Sequence, residues 1–381
     1  MSLTLYEKAM LCEAMMEARH DYQGMVRWKV LLPPAGAEDF SSGSPLDDAI
    51  ATGTYLGAQA FRYALTRDPY VKRRAKRVAR GLRMLQRVTR SDGCFARTFK
   101  RASRPTWDEA LFGDPREWHQ AGKYRWYGDA STDSLVGIMF GYQLYYDLVA
   151  DPAERAEVAR DVEIIMDKLI RENYRITDPD GRMTMWGNMC PLILEENLQA
   201  LELLSHLRGA YHITKKRRFL NEYHRLIDEW DYHKKAALAN TEHPAPWDWN
   251  LAFTPIYTLL QYEKDPALLR YYYQALDYQW KGCQGGQRYE PFFNFCYKVF
   301  RPKAPIIDAT WAYFERFEVG EPQGWCGKRP NPPKPIGPVV EREVVFRGKR
   351  KKVRGIMERA PREFLRAYWM GRYYGFIPES A

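Results

Sequence analysis

The sequence predicts an all-α fold in which helical hairpins form two concentric layers, an α/α toroid. One hairpin pattern occurs over residues 48–69 and again over residues 133–152. Each copy opens with aspartate, continues as a charge-poor helix containing Gly-x-Gln, turns at Asp-Pro and then becomes strongly charged. Self-similarity of this kind is the signature of a repeat architecture. Because a charge-poor helix precedes an amphipathic one, we expect neighbouring hairpins to bury each other's faces.

Four hairpins follow this pattern, each with a charge-poor inner helix and a charged outer helix. The predicted pairs are 48–67 with 69–90, 133–150 with 152–172, 191–213 with 216–237, and 248–263 with 266–281. Asp-Pro at three of the turns starts the outer helix, since Asp caps a helix and Pro is tolerated at its first position. Helices at 4–22, 306–318 and 361–374 bring the predicted total to eleven. An open α-solenoid is the alternative, which the charge-poor inner helices disfavour.

The chain is predicted to be a single toroid domain over residues 1–381, with its core hairpins at about 45–318. A basic, Pro-rich extension follows at 319–360, and a closing helix at 361–374. Within the extension, an alternating segment turns at Arg347-Gly348. This pattern predicts a small β-hairpin near the C-terminus.

The composition limits the classes of function. A net charge of +10 favours anionic partners, but the basic clusters include no groove-reading helix, so nucleic acid is disfavoured. Six cysteines show no Cys-x-x-Cys and seven histidines no His-x-x-x-His, so no metal and no cofactor are predicted. With no apolar signal core and no membrane-length apolar stretch, we expect a cytoplasmic protein without a membrane partner. The oligomeric state stays open.

The repeated Asp-led inner helices with their Asp-Pro turns resemble the six-hairpin glycosidase superfamily of (α/α)6 barrels. The resemblance covers about residues 45–318 and is nearest in style to unsaturated glucuronyl hydrolases and related glycoside hydrolases. It implies a barrel of helical hairpins and a carbohydrate-active enzyme; the superfamily also includes sugar epimerases and lyase domains. This chain departs from the pattern in its eleven recognisable helices instead of twelve and in its basic tail.

The direction of the chain places the candidate chemistry at one rim. Connections between hairpins are long, and all lie where the inner helices begin, at 91–132, 173–190, 238–247 and 282–305. Long loops on a rigid scaffold are where sites are usually built. The same rim is predicted to receive a set of acidic residues: Asp48, Asp133, Glu195 or Glu196, Asp248 and, as a further candidate, Asp308.

Asp48 and Asp133 are the predicted catalytic pair, because they occupy equivalent positions in successive hairpins. Sugar hydrolysis needs an acid and a second carboxylate about 5–10 Å apart. The resemblance agrees, since catalytic aspartates of unsaturated glucuronyl hydrolases lie near inner-helix starts. The alternative is that both residues are helix caps, which the helix dipole would keep ionised. Asp47 and Asp129 are the nearest carboxylates that could raise their pKa values.

Aromatic and polar residues on the rim loops are predicted to bind the substrate. Aromatic faces stack on sugar rings, and arginines bind carboxylates bidentately. A buried aromatic lid is the alternative. The candidates are Trp107, His119, Tyr124, Arg125, Trp126, Tyr127, Asp129, Trp186, Asn188 and Trp247.

We therefore predict a hydrolase, a glycoside hydrolase that acts on an anionic, uronate-type oligosaccharide or another small polar substrate. Two alternatives stay open. A polysaccharide lyase or sugar epimerase on the same scaffold would use Tyr124, Tyr127 or His119. A non-catalytic helical scaffold would bind an acidic partner through the helix at 69–90 and the tail.

Overall fold

The computed structural model describes residues 3–32, 41–42, 47–110, 114–241, 248–284, 289–317, 319 and 339–379. Within those ranges the chain forms thirteen α-helices. They are α1 (Leu5–Met15), α2 (Asp48–Thr66), α3 (Pro69–Arg87), α4 (Thr132–Leu148), α5 (Pro152–Arg171), α6 (Asn197–Thr214), α7 (Arg217–Trp230), α8 (Tyr232–Ala237), α9 (Asp248–Tyr262), α10 (Pro266–Cys283), α11 (Pro291–Phe300), α12 (Asp308–Arg316) and α13 (Arg362–Tyr373).

Six helices form a closed inner ring within the described chain. Helix α2 packs on α4, α4 on α6, α6 on α9, α9 on α11, α11 on α13, and α13 returns to α2. Outside them, α3 packs on α2, α5 on α6, α7 and α8 on α6, α10 on α9, α12 on α11, and α1 on α13. The fold is an all-α, (α/α)6-type toroid, as the sequence predicted. Its sixth hairpin joins the last helix, α13, to the first, α1.

Burial separates the two layers as the charge pattern predicted. Residues 48–62 of α2 are all buried, because this helix has neighbours on every side. The charged α3 instead buries a stripe that includes Val71, Ala75, Val78 and Leu82. A helix that is apolar on one stripe packs against the layer beneath it and leaves its other face in water.

The four predicted hairpins are confirmed, and two predictions about helices are wrong. The connection at 282–305 contains α11, a short aromatic helix whose sequence has no charged outer face. The predicted outer helix at 216–237 is interrupted at Asp231, where a left-handed backbone (φ 55°) separates α7 from α8. The predicted N-terminal helix at 4–22 corresponds to α1 and a π-helical turn over Met16–His20 that continues it.

The Asp-Pro turns work as the sequence predicted. The side chains of Asp68, Asp151 and Asp265 each accept a hydrogen bond from a backbone N–H in the first turn of the following helix. These bonds satisfy donors that would otherwise lack a partner at the helix start. The turns therefore fix where each outer helix begins.

Glycines bring α2 and α4 into backbone contact. A Cβ atom on Gly53 would overlap the carbonyl of Gly137, and one on Gly137 would overlap Ile50. Only glycine leaves room for this crossing. Asp48 and Asp133 each lie about one helical turn before the crossing, so the helix starts that bear them lie side by side.

Short strands cover the rim where the inner helices begin. They are β1 (Asp21–Tyr22), β2 (Met25–Val26), β3 (Lys29–Leu32), β4 (Ser41–Ser42), β5 (Thr98–Arg101), β6 (Trp118–Ala121), β7 (Tyr124–Tyr127), β8 (Arg175–Thr177), β9 (Met183–Asn188), β10 (Val339–Phe346) and β11 (Lys349–Arg359). Strands β10 and β11 form the predicted hairpin, and β11 pairs with β3 beside the starts of α2 and α13. Strands β5, β7 and β6 form a second sheet, and β8 pairs with β9.

Among the described helices, none combines the length and the apolar character that a bilayer crossing requires.

Candidate active site

Every inner helix bears a carboxylate at or just before its first turn. Sequence reasoning identified this arrangement for four of the helices and missed it for α11 and α13. Asp308, the further candidate, begins the outer helix α12, whose first turn is hydrogen-bonded to the start of α11 through Thr310 and Asn294. The carboxylates at the mouth of the ring are Asp47 and Asp48, Asp133, Glu196, Asp248, Glu290 and Glu363.

Asp48 is buried and tied to the rim strands. Its Oδ1 accepts a hydrogen bond from the Trp28 N–H at 2.7 Å, and its Oδ2 accepts one from the Thr98 hydroxyl at 2.6 Å. Burial raises the pKa of Asp48 to about 7, although both hydrogen bonds oppose the shift. The residue joins α2 to β5 and to the segment before β3. Both carboxylate oxygens are thus engaged by the protein.

Asp133 is the second residue of α4 and is only partly buried. Burial, followed by the charge of Asp47, raises its pKa to about 6, and the Arg97 guanidinium opposes this shift. Asp133 does not cap its helix, because the Ser131 side chain accepts the bond from the Ser134 N–H. Asp48 does not cap α2 either, since the cap position belongs to Asp47. The capping interpretation is therefore wrong for both predicted catalytic residues.

Glu202 is an acid in the inner ring that sequence reasoning missed. It lies on α6 and is 1% exposed, and its carboxylate oxygens make no hydrogen bond of regular geometry among the described residues, although the nearby Thr132 side chain opposes the rise in its pKa. Burial, followed by the charge of Asp133, raises the pKa of Glu202 well above its usual value. Asp248 and Glu196 act on it in the same direction. Glu202 and Asp133 are therefore electrostatic neighbours on adjacent inner helices.

His206 follows Glu202 by one helical turn on α6. It is 1% exposed, and both ring nitrogens lack a hydrogen-bond partner in the part of the chain that the structure describes. Burial lowers the pKa of His206 to about 3, so the ring is neutral. A Glu-x-x-x-His spacing inside an otherwise charge-poor helix was the sequence signal for this polar face, because residues four apart share a face.

The α6 start also differs from the prediction. The helix begins at Asn197 instead of residue 191, so Glu195 and Glu196 precede it. Prediction placed them on the helix and expected one of them to face the lumen. Glu202 takes that position instead.

A cluster of cations interrupts the ring of acids beside α2 and α13. Lys29 Nζ lies 3.7 Å from the Trp28 ring centroid, and the guanidinium carbons of Arg359 and Arg362 lie at 5.4 and 5.9 Å. Burial, followed by repulsion from Arg359, lowers the pKa of Lys29 to about 8, while Asp47 opposes the shift. Like charges held together in this way attract an anion.

Several predicted substrate-binding residues lie within the β5–β7–β6 sheet. Trp126 and Tyr127 are buried, and the buried Arg125 donates from Nε to Glu109 at 2.8 Å. The Tyr127 hydroxyl accepts a bond from the Asp114 N–H, and that of Tyr124 donates to Gln23. This arrangement matches the buried-lid alternative for these side chains, and their role in binding substrate stays a prediction.

The remaining candidates are more varied. Trp186 is 62% exposed, whereas Asn188 is buried and donates to the Ile193 carbonyl. Asp129 has a left-handed backbone (φ 49°) and accepts a bond from the Met185 N–H, which joins two rim loops. His119 stacks on Trp126 with ring centroids 4.3 Å apart. The Trp107 side chain and Trp247 lie outside the described residues.

Replacing Asp48 with asparagine should remove a pH-dependent loss of stability. With its pKa raised from 3.8 to about 7, this carboxyl contributes stability that is present below pH 3.8 and lost as the pH rises through 7. The loss corresponds to about 4 kcal/mol of unfolding free energy. Asparagine can accept from Trp28 and donate to Thr98. Urea unfolding from pH 4 to 8 should therefore show Asp48→Asn gaining stability relative to wild type as the pH rises.

Asp228→Asn is the matched control, because that carboxylate is exposed on the outer helix α7. It should leave the pH dependence unchanged. Parallel stability curves for wild type and Asp48→Asn would contradict the assignment.

Comparison with known proteins gives little information beyond this geometry. No protein-family model matches the chain, and no curated protein matches it. Five solved chains match, among them one described as the crystal structure of unsaturated glucuronyl hydrolase specific for heparin. That match covers 98% of this chain and 96% of the other at 12% identity and a TM-score of 0.34. At this similarity it does not bear on function, which has to be argued from the site.

Proposed function

We propose that this protein is a carbohydrate-active enzyme, a glycoside hydrolase acting on uronate-type oligosaccharides. The observation that supports this most is the pair formed by Glu202 and Asp133. They lie on adjacent inner helices at the mouth of the ring, and burial raises the pKa of both. Carboxyl groups with elevated pKa values are candidates for acid–base catalysis.

We assign the roles from the surroundings of the two carboxyls. Glu202, whose pKa burial raises well above its usual value, donates its proton to the departing glycosidic oxygen. Asp133, with a pKa of about 6, is mostly ionised and either attacks the sugar or activates a water molecule. Asp48 has both oxygens engaged and acts in this proposal as a positioning residue.

The cations around Trp28 support the anionic substrate. Lys29 and Arg359 lie beside one indole at the rim of the ring, next to Asp47, and Arg362 lies there as well but already donates to Glu363 at 2.7 Å. A uronate carboxylate bound there would relieve the repulsion among these cations and receive charge-assisted hydrogen bonds. Arg125, the arginine among the predicted substrate-binding residues, is already paired with Glu109.

The alternatives have less support. Of the three candidates for proton abstraction in a lyase or epimerase, Tyr124 and Tyr127 have hydroxyls engaged by neighbouring protein groups. The third, His119, keeps an Nε2 without a partner among the described residues. The basic outer helix α3, on which a scaffold would depend, has much of its charge paired. Its ion pairs join Arg74 and Arg77 to Asp21, Lys76 to Glu154, and Arg83 to Asp161.

A panel of paired oligosaccharides, each uronate-containing substrate with its neutral analogue, tests the proposal. We expect release of reducing ends from the uronate members without new ultraviolet absorbance from an unsaturated product. Lys29→Ala should raise KM for the uronate member about 10-fold, which corresponds to ~1.4 kcal/mol of binding, and leave kcat little changed.

Lys281→Ala, an exposed lysine on the outer helix α10, is the control and should leave KM unchanged. New absorbance on cleavage would identify a lyase instead. Absence of cleavage across the whole panel would contradict a hydrolase of this class.

A further inference from the structure

A second polar cluster lies on the rim loops, apart from Glu202 and Asp133. It comprises Glu117 and His119 from the connection between α3 and α4, and Asp178 from the turn between β8 and β9. One ligand atom from each residue lies within 4.8 Å of the other two. Because these residues come from separate loops, no short sequence motif marks them.

Gly128 leaves space beside two members of the cluster. A Cβ atom on Gly128 would lie 3.0 Å from His119 Nε2 and 3.0 Å from Asp178 Oδ1, so a larger residue would crowd both side chains. Gly128 has no positive φ, so turn conformation does not require glycine here. The space that it leaves is lined by a ring nitrogen and a carboxylate.

The imidazole is held with one nitrogen directed into this space. Stacking on Trp126 orients the His119 ring, and its buried Nε2 has no hydrogen-bond partner among the described residues. Asp178 is 4% exposed, which makes an uncompensated charge there costly. A buried ring nitrogen without a hydrogen-bond partner, beside a buried carboxylate, is a place where a bound ion or a water molecule would satisfy both groups.

An arginine already places a positive charge beside the two carboxylates of the cluster. Arg182 NH2 lies 2.9 Å from Glu117 Oε2 and 3.8 Å from Asp178 Oδ2. Its side chain is 56% exposed, so it can move into solvent at small cost, and exposed ion pairs are weak. The Arg182 guanidinium can only donate hydrogen bonds, and it donates to Glu117. Among the described residues, no hydrogen bond joins it to His119 Nε2.

We propose that a divalent transition-metal ion of the zinc class binds between Glu117, His119 Nε2 and Asp178, displacing the Arg182 guanidinium. One imidazole nitrogen and two carboxylates form a mixed set that suits zinc, whereas calcium takes oxygen ligands. Ligand atoms about 2.0–2.2 Å from a common centre require only a small closure of the cluster. The remaining coordination positions are left to water.

Binding of this ion would affect the surroundings of Asp133 at the mouth of the ring. Asp178 Oδ2 accepts a hydrogen bond from the Asp129 N–H at 3.2 Å, and Arg97 donates to the Asp129 carbonyl. Arg97 in turn acts on the Asp133 carboxylate. A metal bound to Asp178 would therefore hold the segment that positions Arg97 beside Asp133, without contacting substrate.

Titration of the full chain, freed of metal by chelator, tests this proposal. Calorimetry with ZnCl2 should show one ion per chain and a higher melting temperature on binding. Cobalt(II) should give the visible d–d spectrum of a protein-bound ion without a thiolate charge-transfer band. A thiolate band, or absence of stoichiometric binding, would overturn the proposal.

Variants separate this site from accidental binding. His119→Ala and Asp178→Asn should each weaken binding at least 10-fold, and Arg182→Ala should tighten it because the competing cation is removed. His224→Ala, an exposed histidine on α7, should leave affinity unchanged. Equal zinc affinity in His119→Ala and wild type would overturn the site. If His119→Ala is poorly folded, the opposite shifts expected of Asp178→Asn and Arg182→Ala still decide the matter.

Discussion

Replacing Glu202 with glutamine should lower kcat for glycan hydrolysis by about 10³-fold, within the range that general acid catalysis provides. Glutamine has nearly the same shape as glutamic acid and is neutral, but it has no acidic proton to donate. The loss in kcat should depend on whether the leaving group needs a proton. A substrate whose leaving group needs no proton, such as a glycosyl fluoride, should retain most of its rate.

Asp133→Asn should differ from Glu202→Gln in how its effect on kcat depends on the leaving group. The loss in kcat should be equally large for both leaving groups, because the ionised carboxylate is needed whichever group departs. In wild type, activity should rise as the pH increases through about 6, since Asp133 must lose its proton, and fall as Glu202 loses its own at higher pH. Glu202→Gln should abolish the alkaline decline in the residual activity.

The matched controls are Glu229→Gln and Asp228→Asn, which alter carboxylates on the exposed face of α7. Both should keep wild-type rates. Circular dichroism melts confirm that each variant is folded before its rate is compared. If Glu202→Gln slows both leaving groups equally, or not at all, Glu202 is not the proton donor.

The second large effect concerns stability and a buried carboxylate in α1. Glu13 is 2% exposed and accepts hydrogen bonds from Tyr55 and Gln59 of α2 and from Trp369 of α13. It lies where the first and last helices close the ring. Glu13→Ala should lower the unfolding free energy by about 3–5 kcal/mol, because three buried donors lose their acceptor and a cavity remains.

Glu7→Ala on the same helix provides the control. Glu7 belongs to the exposed capping box with Thr4, so its loss should cost about 1 kcal/mol. Chemical denaturation measures both variants. A loss for Glu13→Ala no larger than for Glu7→Ala would mean that the buried hydrogen bonds do not hold the ring closed.

The regular part of the fold was predictable because its signals are local. Asp-Pro marks three outer-helix starts through a cap and a tolerated proline, and the structure confirms each one. Alternating residues around Arg347-Gly348 predicted the β10–β11 hairpin in the same way. Helix α11 was missed because Pro291-Phe-Phe-Asn-Phe-Cys has neither a charged face nor the repeat.

The site was harder to predict, because it depends on which neighbours meet. The repeat placed Asp48 and Asp133 at one rim, and the structure places their helix starts side by side. The repeat could not show that Trp28 and Thr98 donate hydrogen bonds to Asp48. These partners lie far from it in the sequence, and the short strands that bring them close lack a strong periodic pattern.

The sequence by itself determined the layered helical architecture, the direction of each inner helix and the rim at which the acids gather. These follow from periodicity, caps and turns, which act over a few residues. Only the tertiary structure decided that the ring closes through α13 and α1, and that Glu202 lies buried beside Asp133. Burial and electrostatic coupling set both results. They depend on contacts between distant segments, which no local pattern records.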